Sequence, residues 1–215
     1  MIDRRKFLIS AAFAASGALM PLKAVKAAVT GNDALERITA AMNENISLNN
    51  CTPLDEDDLH ALAYAYRTIR PVSHVEHAVV VACGRASILQ WGITDEYVRR
   101  KKGEEPEFFN HPILHLKKLG VPDTQGLFIF KEQVDWFLAE IISEKDAFNL
   151  NDGILLRKKI GMGKMCFAEF YNYIHPRYRA YMSDQDVYDL LDLLRSYLWC
   201  DVYICCSAIV ARAGF

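Results

Sequence analysis

Apolar residues recur at helical spacing along most of the chain. Within residues 32–48, for example, Leu35 and Ile38 fall on one face of a helix. Thr94 is a residue type that often caps helices, and we expect it to begin a short helix. Strict alternation of polar and apolar positions, which indicates strands, is missing, and residues 126–131 are the one ambiguous stretch. The pattern predicts an all-α fold of about seven helices.

Two long apolar stretches, near residues 74–92 and 184–213, are expected to form the central helices. From Ala78 onward the first stretch is apolar on almost every side, as in a buried helix. The second has an apolar core of 15 residues, 197–211, which includes Asp201. That core is too short to cross a bilayer, and a charge at its middle would be costly there. We therefore expect no stable membrane span in the mature chain.

The N-terminus differs in composition from the rest of the sequence. A basic start precedes an apolar run of 16 residues, 7–22, and roughly 20 are needed to span a bilayer core. The small residue Ala27 then fits the cleavage site of a signal peptide. Residues 1–27 are therefore predicted to be a cleaved signal, and residues 28–215 a single helical domain in the periplasm.

The stretch DRRKFL at the start of this signal resembles the twin-arginine (Tat) export signal. Arg4 and Arg5 are followed, after one variable position, by Phe7 and Leu8. The resemblance implies the Tat translocase as a partner and export of an already folded chain. It also implies a cofactor, inserted before export into this chain or into a companion subunit. The alternatives are an ordinary secretory signal or an uncleaved anchor helix.

The mature chain is acidic. The full sequence has 25 Lys and Arg against 27 Asp and Glu, and residues 1–27 hold five of the basic residues and one of the acidic residues. Their removal leaves 188 residues with a net charge of about −6. A hydrophobic content of 52% is sufficient for a packed core. Nucleic-acid binders carry a basic face, so we expect no nucleic-acid partner.

All six cysteines lie in the mature chain, and an even number in an exported protein raises the prospect of disulfides. Cys83, Cys200, Cys205 and Cys206, however, fall in apolar helical runs, where a free thiol behaves as a small hydrophobic group. We expect mostly buried thiols and no more than one disulfide. No CxxC motif is present, which excludes covalently attached c-type haem.

Two pairs of histidines are candidate metal or haem ligands. His74 and His77 are three residues apart on one helix face, and His111 and His115 are four apart. Two such pairs on two helices could meet around a metal ion or a haem. The alternative is that these are separate histidines at polar helix starts.

Arg85 and Asp201 are charges within the two apolar stretches. Burial of either charge alone would be costly, whereas a hydrogen-bonded pair is tolerated. We therefore predict an ion pair between the two central helices, and the alternative is that one or both side chains point outward.

The segment 167–182 is rich in aromatic residues and contains two arginines. Tyr and Arg are frequent anchors of protein interfaces, so the segment could line a ligand pocket or contact a partner. The alternative is that its rings pack into the core. The candidate contact residues are Tyr171, Tyr173, His175, Arg177, Tyr178 and Arg179.

These observations favour a non-catalytic accessory subunit that is exported with a larger catalytic subunit of a redox enzyme. Small Tat-exported helical subunits of flavin sugar dehydrogenases are similar in outline. No sequence motif requires a cofactor or indicates catalysis, so the cofactor is expected in the partner subunit. Two alternatives stay open: a stand-alone metal- or haem-binding protein that uses the paired histidines, and a helical binding module that uses the aromatic segment.

Overall fold

A computed structural model describes residues 33–49, 54–107, 124–143, 148–196 and 200–215. Helices account for all the regular secondary structure of these residues, which confirms the all-α prediction for this part of the chain. The predicted export signal lies outside the described residues.

Eleven helices lie in the described residues, against about seven predicted. The number is higher because some stretches form two or more helices where the sequence pattern predicted one. In chain order the helices are α1 (Asp33–Asn49), α2 (Glu56–Ile69), α3 (His74–Cys83), α4 (Ala86–Gln90), α5 (Ile93–Lys101), α6 (Lys131–Ile142), α7 (Leu150–Gly161), α8 (Phe167–Tyr173), α9 (Pro176–Arg179), α10 (Asp184–Ser196) and α11 (Tyr203–Arg212).

The described residues form two compact units. The terminal unit contains α1–α5 together with α11, so it combines chain from both sides of the middle unit. The middle unit contains α6–α10, within residues 109–200. The sequence pattern, which predicted one domain over residues 28–215, carries no sign of this division.

The core of the terminal unit is built around α3. Every residue from Ala78 to Cys83 is buried, because this part of α3 has apolar side chains on all sides. Helices α2 and α11 pack against α3, and α11 also contacts α1. A buried central helix was predicted here, and its first part is confirmed.

The prediction of a single helix over residues 74–92 is wrong, because the helix is interrupted between α3 and α4. At Gly84 the backbone approaches α2 so closely that a Cβ atom would lie 2.6 Å from Leu62 Cδ1. Arg85 is extended, with φ −130° and ψ 137°. Asp58 on α2 then accepts the N–H of Ala86 at 3.0 Å and so caps α4.

Two more predicted boundaries are wrong. Thr94 does not cap α5 but is buried inside it, and Gly92 is the N-cap, with a positive φ of 69°. The expected helix over residues 184–213 is divided into α10 and α11, with Val202 extended before α11. The division coincides with the passage of the chain from the middle unit to the terminal unit at residues 200–201.

The middle unit is organised by a close contact between α6 and α7. Gly153 of α7 is buried, and a Cβ atom there would lie 2.0 Å from the backbone oxygen of Asp135 on α6. On the same two helices, Nε of Arg157 lies 2.5 Å from Oδ1 of Asp135. Helix α10 packs against α7 and α8. The close approach of α7 to α6 therefore requires glycine, which has no side chain, at position 153.

No helix within the described ranges combines the length and the apolar character that crossing a membrane requires.

Candidate functional site

His74 and His77 of the predicted metal site lie in the first turn of α3 and contact the end of the terminal unit. Nε2 of His74 is 2.7 Å from Oγ of Ser207 on α11, and its Nδ1 is 3.2 Å from the backbone oxygen of Phe215. Nδ1 of His77 is 2.9 Å from the backbone oxygen of Ser73. These three nitrogens are therefore engaged in hydrogen bonds within the protein.

The second histidine pair of the predicted metal site, His111 and His115, lies outside the described residues. In the part of the chain that the structure describes, no three His, Cys, Asp or Glu side chains are grouped so that they could hold a metal ion. A metal or haem site that uses both pairs stays a prediction.

The residue that the two histidines contact, Phe215, is enclosed by aromatic and cationic groups. The guanidinium of Arg37 on α1 lies 4.3 Å from the centroid of its ring, and the ring of His77 stacks on it. Gly214 adopts a φ of 81°, and the N–H of Phe215 donates to the carbonyl of Val210 at 3.2 Å. This is a Schellman turn, which directs Phe215 back toward α1 and α3.

The predicted pair between Arg85 and Asp201 rested on both residues lying inside helices, and this premise is wrong. Arg85 is the N-cap of α4, and Asp201 precedes α11. The guanidinium of Arg85 instead lies 3.2 Å from the carboxylate of Asp58. Asp58 was not predicted as the partner. The bend at Gly84 brings Arg85 to α2, and the apolar sequence around Gly84 gives no clear indication of a bend.

Asp201 lies near a buried thiol of the terminal unit. Burial raises the pKa of Cys83 to about 12, and the neighbouring negative charge of Asp201 adds to the shift. The thiol of Cys83 is therefore protonated at neutral pH, and nucleophilic chemistry needs the thiolate. Cys83 is a packing residue in this fold.

The five described cysteines are all free thiols, and Cys51 lies outside the described residues. Three of the five are buried, as predicted: Cys83, Cys200 and Cys206. Cys205 was also expected to be buried but is exposed, because consecutive residues of a helix point about 100° apart and Cys206 faces the core.

The aromatic segment forms two short helices, α8 and α9, which are fixed to α6 at the junction between them. The N–H of His175 donates to the carbonyl of Ile141 at 2.8 Å. Nδ1 of His175 accepts the N–H of Arg177 at 3.2 Å and caps α9, with Pro176 at its first position. His175 is therefore a positioning residue for α9 in this structure.

Glu140 on α6 binds two of the predicted contact residues at once. Nη2 of Arg177 lies 3.1 Å from Oε1 of Glu140, and the hydroxyl of Tyr178 donates to the same oxygen at 2.5 Å. Burial and this hydrogen bond raise the pKa of Tyr178 to about 12. Arg177 and Tyr178 are thus held by an acidic group of their own chain.

Arg179 has a different environment. Its guanidinium carbon lies 5.1 Å from the centroid of the Tyr171 ring, and its Nε is buried. Within the described ranges, no acceptor binds the Nε of either Arg177 or Arg179, but Arg177 has Glu140 as a carboxylate partner and Arg179 has none. The Tyr171 ring is 5.9 Å from that of Phe167, which is 5.5 Å from that of Tyr188 on α10. We call Phe167, Tyr171, Arg179 and Tyr188 the aromatic surface.

Two further tyrosines lie close to the aromatic surface in sequence. Tyr181, two residues after Arg179, is 89% exposed. Tyr173, two residues after Tyr171, is 44% exposed, and Nζ of Lys159 lies 5.6 Å from its ring. The exposure of these rings means that the segment is not simply part of the core.

A buried ion pair in the terminal unit was missed by the sequence reasoning. Nε of Arg100 lies 2.6 Å from Oε1 of Glu96, and both side chains are almost completely buried. The backbone N–H of Glu107 also donates to the Glu96 carboxylate. The spacing of four residues on a helix is a signal for such a pair, but it does not reveal burial. The contact fixes the segment after α5.

No family model matches the chain. Curated proteins that it resembles include DNA polymerase III subunit alpha from two strains of Helicobacter pylori, each 28% identical over 95 residues. The aligned residues cover 44% of this chain and 7% of each polymerase subunit. The chain therefore spans a small part of these relatives, and the similarity assigns no family.

Proposed function

We propose that this protein is a non-catalytic accessory subunit, exported to the periplasm by the Tat route and bound to a larger catalytic subunit of a redox enzyme. The observation that carries the proposal is the DRRKFL stretch at residues 3–8. A chain exported in the folded state either holds a cofactor of its own or travels with a subunit that holds one.

The positions of the described histidines support a cofactor in the partner. Both ring nitrogens of His74 and Nδ1 of His77 bind groups of the protein itself. A metal ligand needs a free lone pair on the nitrogen that binds the ion, so binding through His74 would require one of its two contacts to break.

The aromatic surface supports a role in protein binding. Tyr and Arg are enriched among residues that dominate binding energy at interfaces. Here a partly exposed arginine and three rings are joined by contacts across α8, α9 and α10. We propose that this surface contacts the catalytic subunit.

A nucleic-acid role, which the similarity to DNA polymerase III subunit alpha raises, is not our proposal. Electrostatic attraction to phosphates dominates nucleic-acid binding and requires a basic face. The full chain has 25 basic and 27 acidic side chains, and loss of the predicted signal makes it more acidic.

Export by the Tat route is tested with lysine substitutions that preserve charge. The double variant Arg4→Lys with Arg5→Lys is expected to stay in the cytoplasm, whereas the control Lys6→Arg is expected to reach the periplasm. Fractionation of cells followed by immunoblotting measures both. Unchanged export of the double variant would indicate an ordinary secretory signal and would remove the basis of the proposal.

A further inference from the structure

We infer that Arg179 is an anion-binding residue on the aromatic surface, and that it receives a carboxylate from an acidic segment of a partner protein. The inference rests on the proposed role in protein binding and adds the chemistry of the contact. Its occupant is an acidic peptide segment that carries an apolar residue beside the carboxylate.

Arg179 differs from the other described arginines of the middle unit in its partners. Arg157 pairs with Asp135, Arg177 with Glu140 and Arg195 with Asp192. For Arg179, the structure shows a ring contact in place of a carboxylate within these described ranges. A guanidinium that has lost part of its hydration without gaining an acceptor gains free energy when a carboxylate binds it.

Asp186 and Asp189, two acidic residues of α10 that follow Arg179 in the sequence, form local contacts. Asp186 accepts hydrogen bonds from the backbone N–H and the hydroxyl of Ser183, both at 2.7 Å. Asp189 accepts from the side chain of Gln185 at 2.8 Å. Although these acids are close to Arg179 in sequence, they form contacts of their own, and the guanidinium is left for a carboxylate from another molecule.

Helix α9 is held in place by contacts within its own chain. His175 caps the helix and binds the carbonyl of Ile141, and Glu140 binds both Arg177 and Tyr178. The contact with Tyr171 further restricts the guanidinium of Arg179. Less conformational entropy is lost when a preorganised side chain binds, and the planar guanidinium matches a carboxylate in two-point contacts.

The extent of the aromatic surface indicates the size of the ligand. The contacts from Tyr171 through Phe167 to Tyr188 extend across two helices, and Tyr188 is half exposed. A free phosphate or acetate would contact the guanidinium alone, whereas a peptide would also cover these rings. The continuity of the cation with aromatic rings therefore favours a protein segment over a small anion.

The test selects peptides without assuming the identity of the partner. A library of random displayed peptides is panned on the purified full chain, with prior depletion on the variant Arg179→Ala. We expect enriched peptides with Asp or Glu next to an apolar residue. Their dissociation constants, measured by fluorescence anisotropy, should rise at least about tenfold on Arg179→Ala, because a charge-assisted hydrogen bond is lost.

Two control variants make the result specific. Arg212→Ala removes an exposed arginine of the terminal unit and should leave the affinity unchanged. Arg179→Lys keeps the charge but loses the two-point contact, and it should weaken binding less than alanine does. If Arg179→Ala does not fold, as judged by circular dichroism, the comparison of wild type with Arg179→Lys decides.

Several results would overturn the inference: no enriched peptides, enriched peptides without acidic residues, or equal affinity for wild type and the Arg179 variants. Inorganic phosphate that binds as tightly as the peptides, followed through the NMR signal of the Arg179 Nε–H, would assign a small-anion site instead. The measurement uses the isolated chain. Its failure is therefore distinct from a failure of export or of association with a catalytic subunit.

Discussion

The ring of His77 stacks on the ring of Phe215, with the centroids 4.2 Å apart and an angle of 20° between the planes. His77 belongs to α3 and Phe215 follows α11, so the contact joins the buried helix to the end of the terminal unit. Arg37 of α1 covers the same ring. Residues from three parts of the sequence therefore stabilise one another at Phe215.

The variant Phe215→Ala is expected to lower the free energy of unfolding by about 1–3 kcal/mol, because it removes a partly buried ring and two ring contacts. Urea denaturation at constant pH measures the change. Tyr181→Ala, at a ring that is 89% exposed, is the control and should change stability by less than about 0.5 kcal/mol. Equal losses for the two variants would contradict the proposed anchoring.

Gly153→Ala is expected to destabilise the protein by about 2–4 kcal/mol, because the new Cβ would overlap the backbone oxygen of Asp135 and α6 would have to move. Gly161→Ala, at an exposed position at the end of the same helix, should be neutral or slightly stabilising. Thermal unfolding of both variants tests the close contact of α6 with α7. A tolerated alanine at position 153 would show that this contact is looser than described.

A double-mutant cycle distinguishes the observed partner of Arg85 from the predicted one. Arg85→Ala combined with Asp58→Ala should show a coupling energy of about 0.5–1 kcal/mol, as expected for a partly exposed ion pair. Arg85→Ala combined with Asp201→Asn should be additive. Coupling to Asp201 but not to Asp58 would restore the pair predicted from the sequence.

Tyr178 and Tyr64 should ionise unusually late. Both have a pKa of about 12, because burial and a hydrogen bond to a carboxylate favour the neutral phenol. The ordinary pKa of a tyrosine is about 10, and the folded protein raises it. Each of these tyrosines therefore contributes fully to the stability of the folded state below pH 10, and this contribution is lost as the pH rises through 12. The stability advantage of wild type over Tyr178→Phe should therefore shrink above pH 10.

Tyrosinate absorbance provides the direct measurement of this shift. Tyr178→Phe and Tyr64→Phe should each remove one tyrosine from the titration phase near pH 12, and the double variant should remove two. If that phase is unchanged in both single variants, neither hydrogen bond to a carboxylate, from Tyr64 to Asp95 or from Tyr178 to Glu140, exists in solution.

The helical class and the first part of the buried helix could be predicted because apolar periodicity reports burial directly. The breaks at Gly84 and at residues 200–202 could not be predicted. The first depends on the close approach of Gly84 to Leu62 on α2, and the second coincides with the boundary between the two units, and neither contact nor boundary is visible in the apolar periodicity. The aromatic segment was identified from its composition alone. Arg177 pairs with Glu140, whereas Arg179 does not. This difference depends on which helix faces α9, and the local sequence does not encode it.

The proposed accessory role is tested by purification of the tagged protein from the periplasm under native conditions, followed by separation of its subunits and measurement of flavin, haem and metal in each. We predict a complex with a larger subunit that carries the cofactor, while this chain carries none. A chain purified without a partner, with stoichiometric metal or haem of its own, would rule out an accessory subunit without a cofactor.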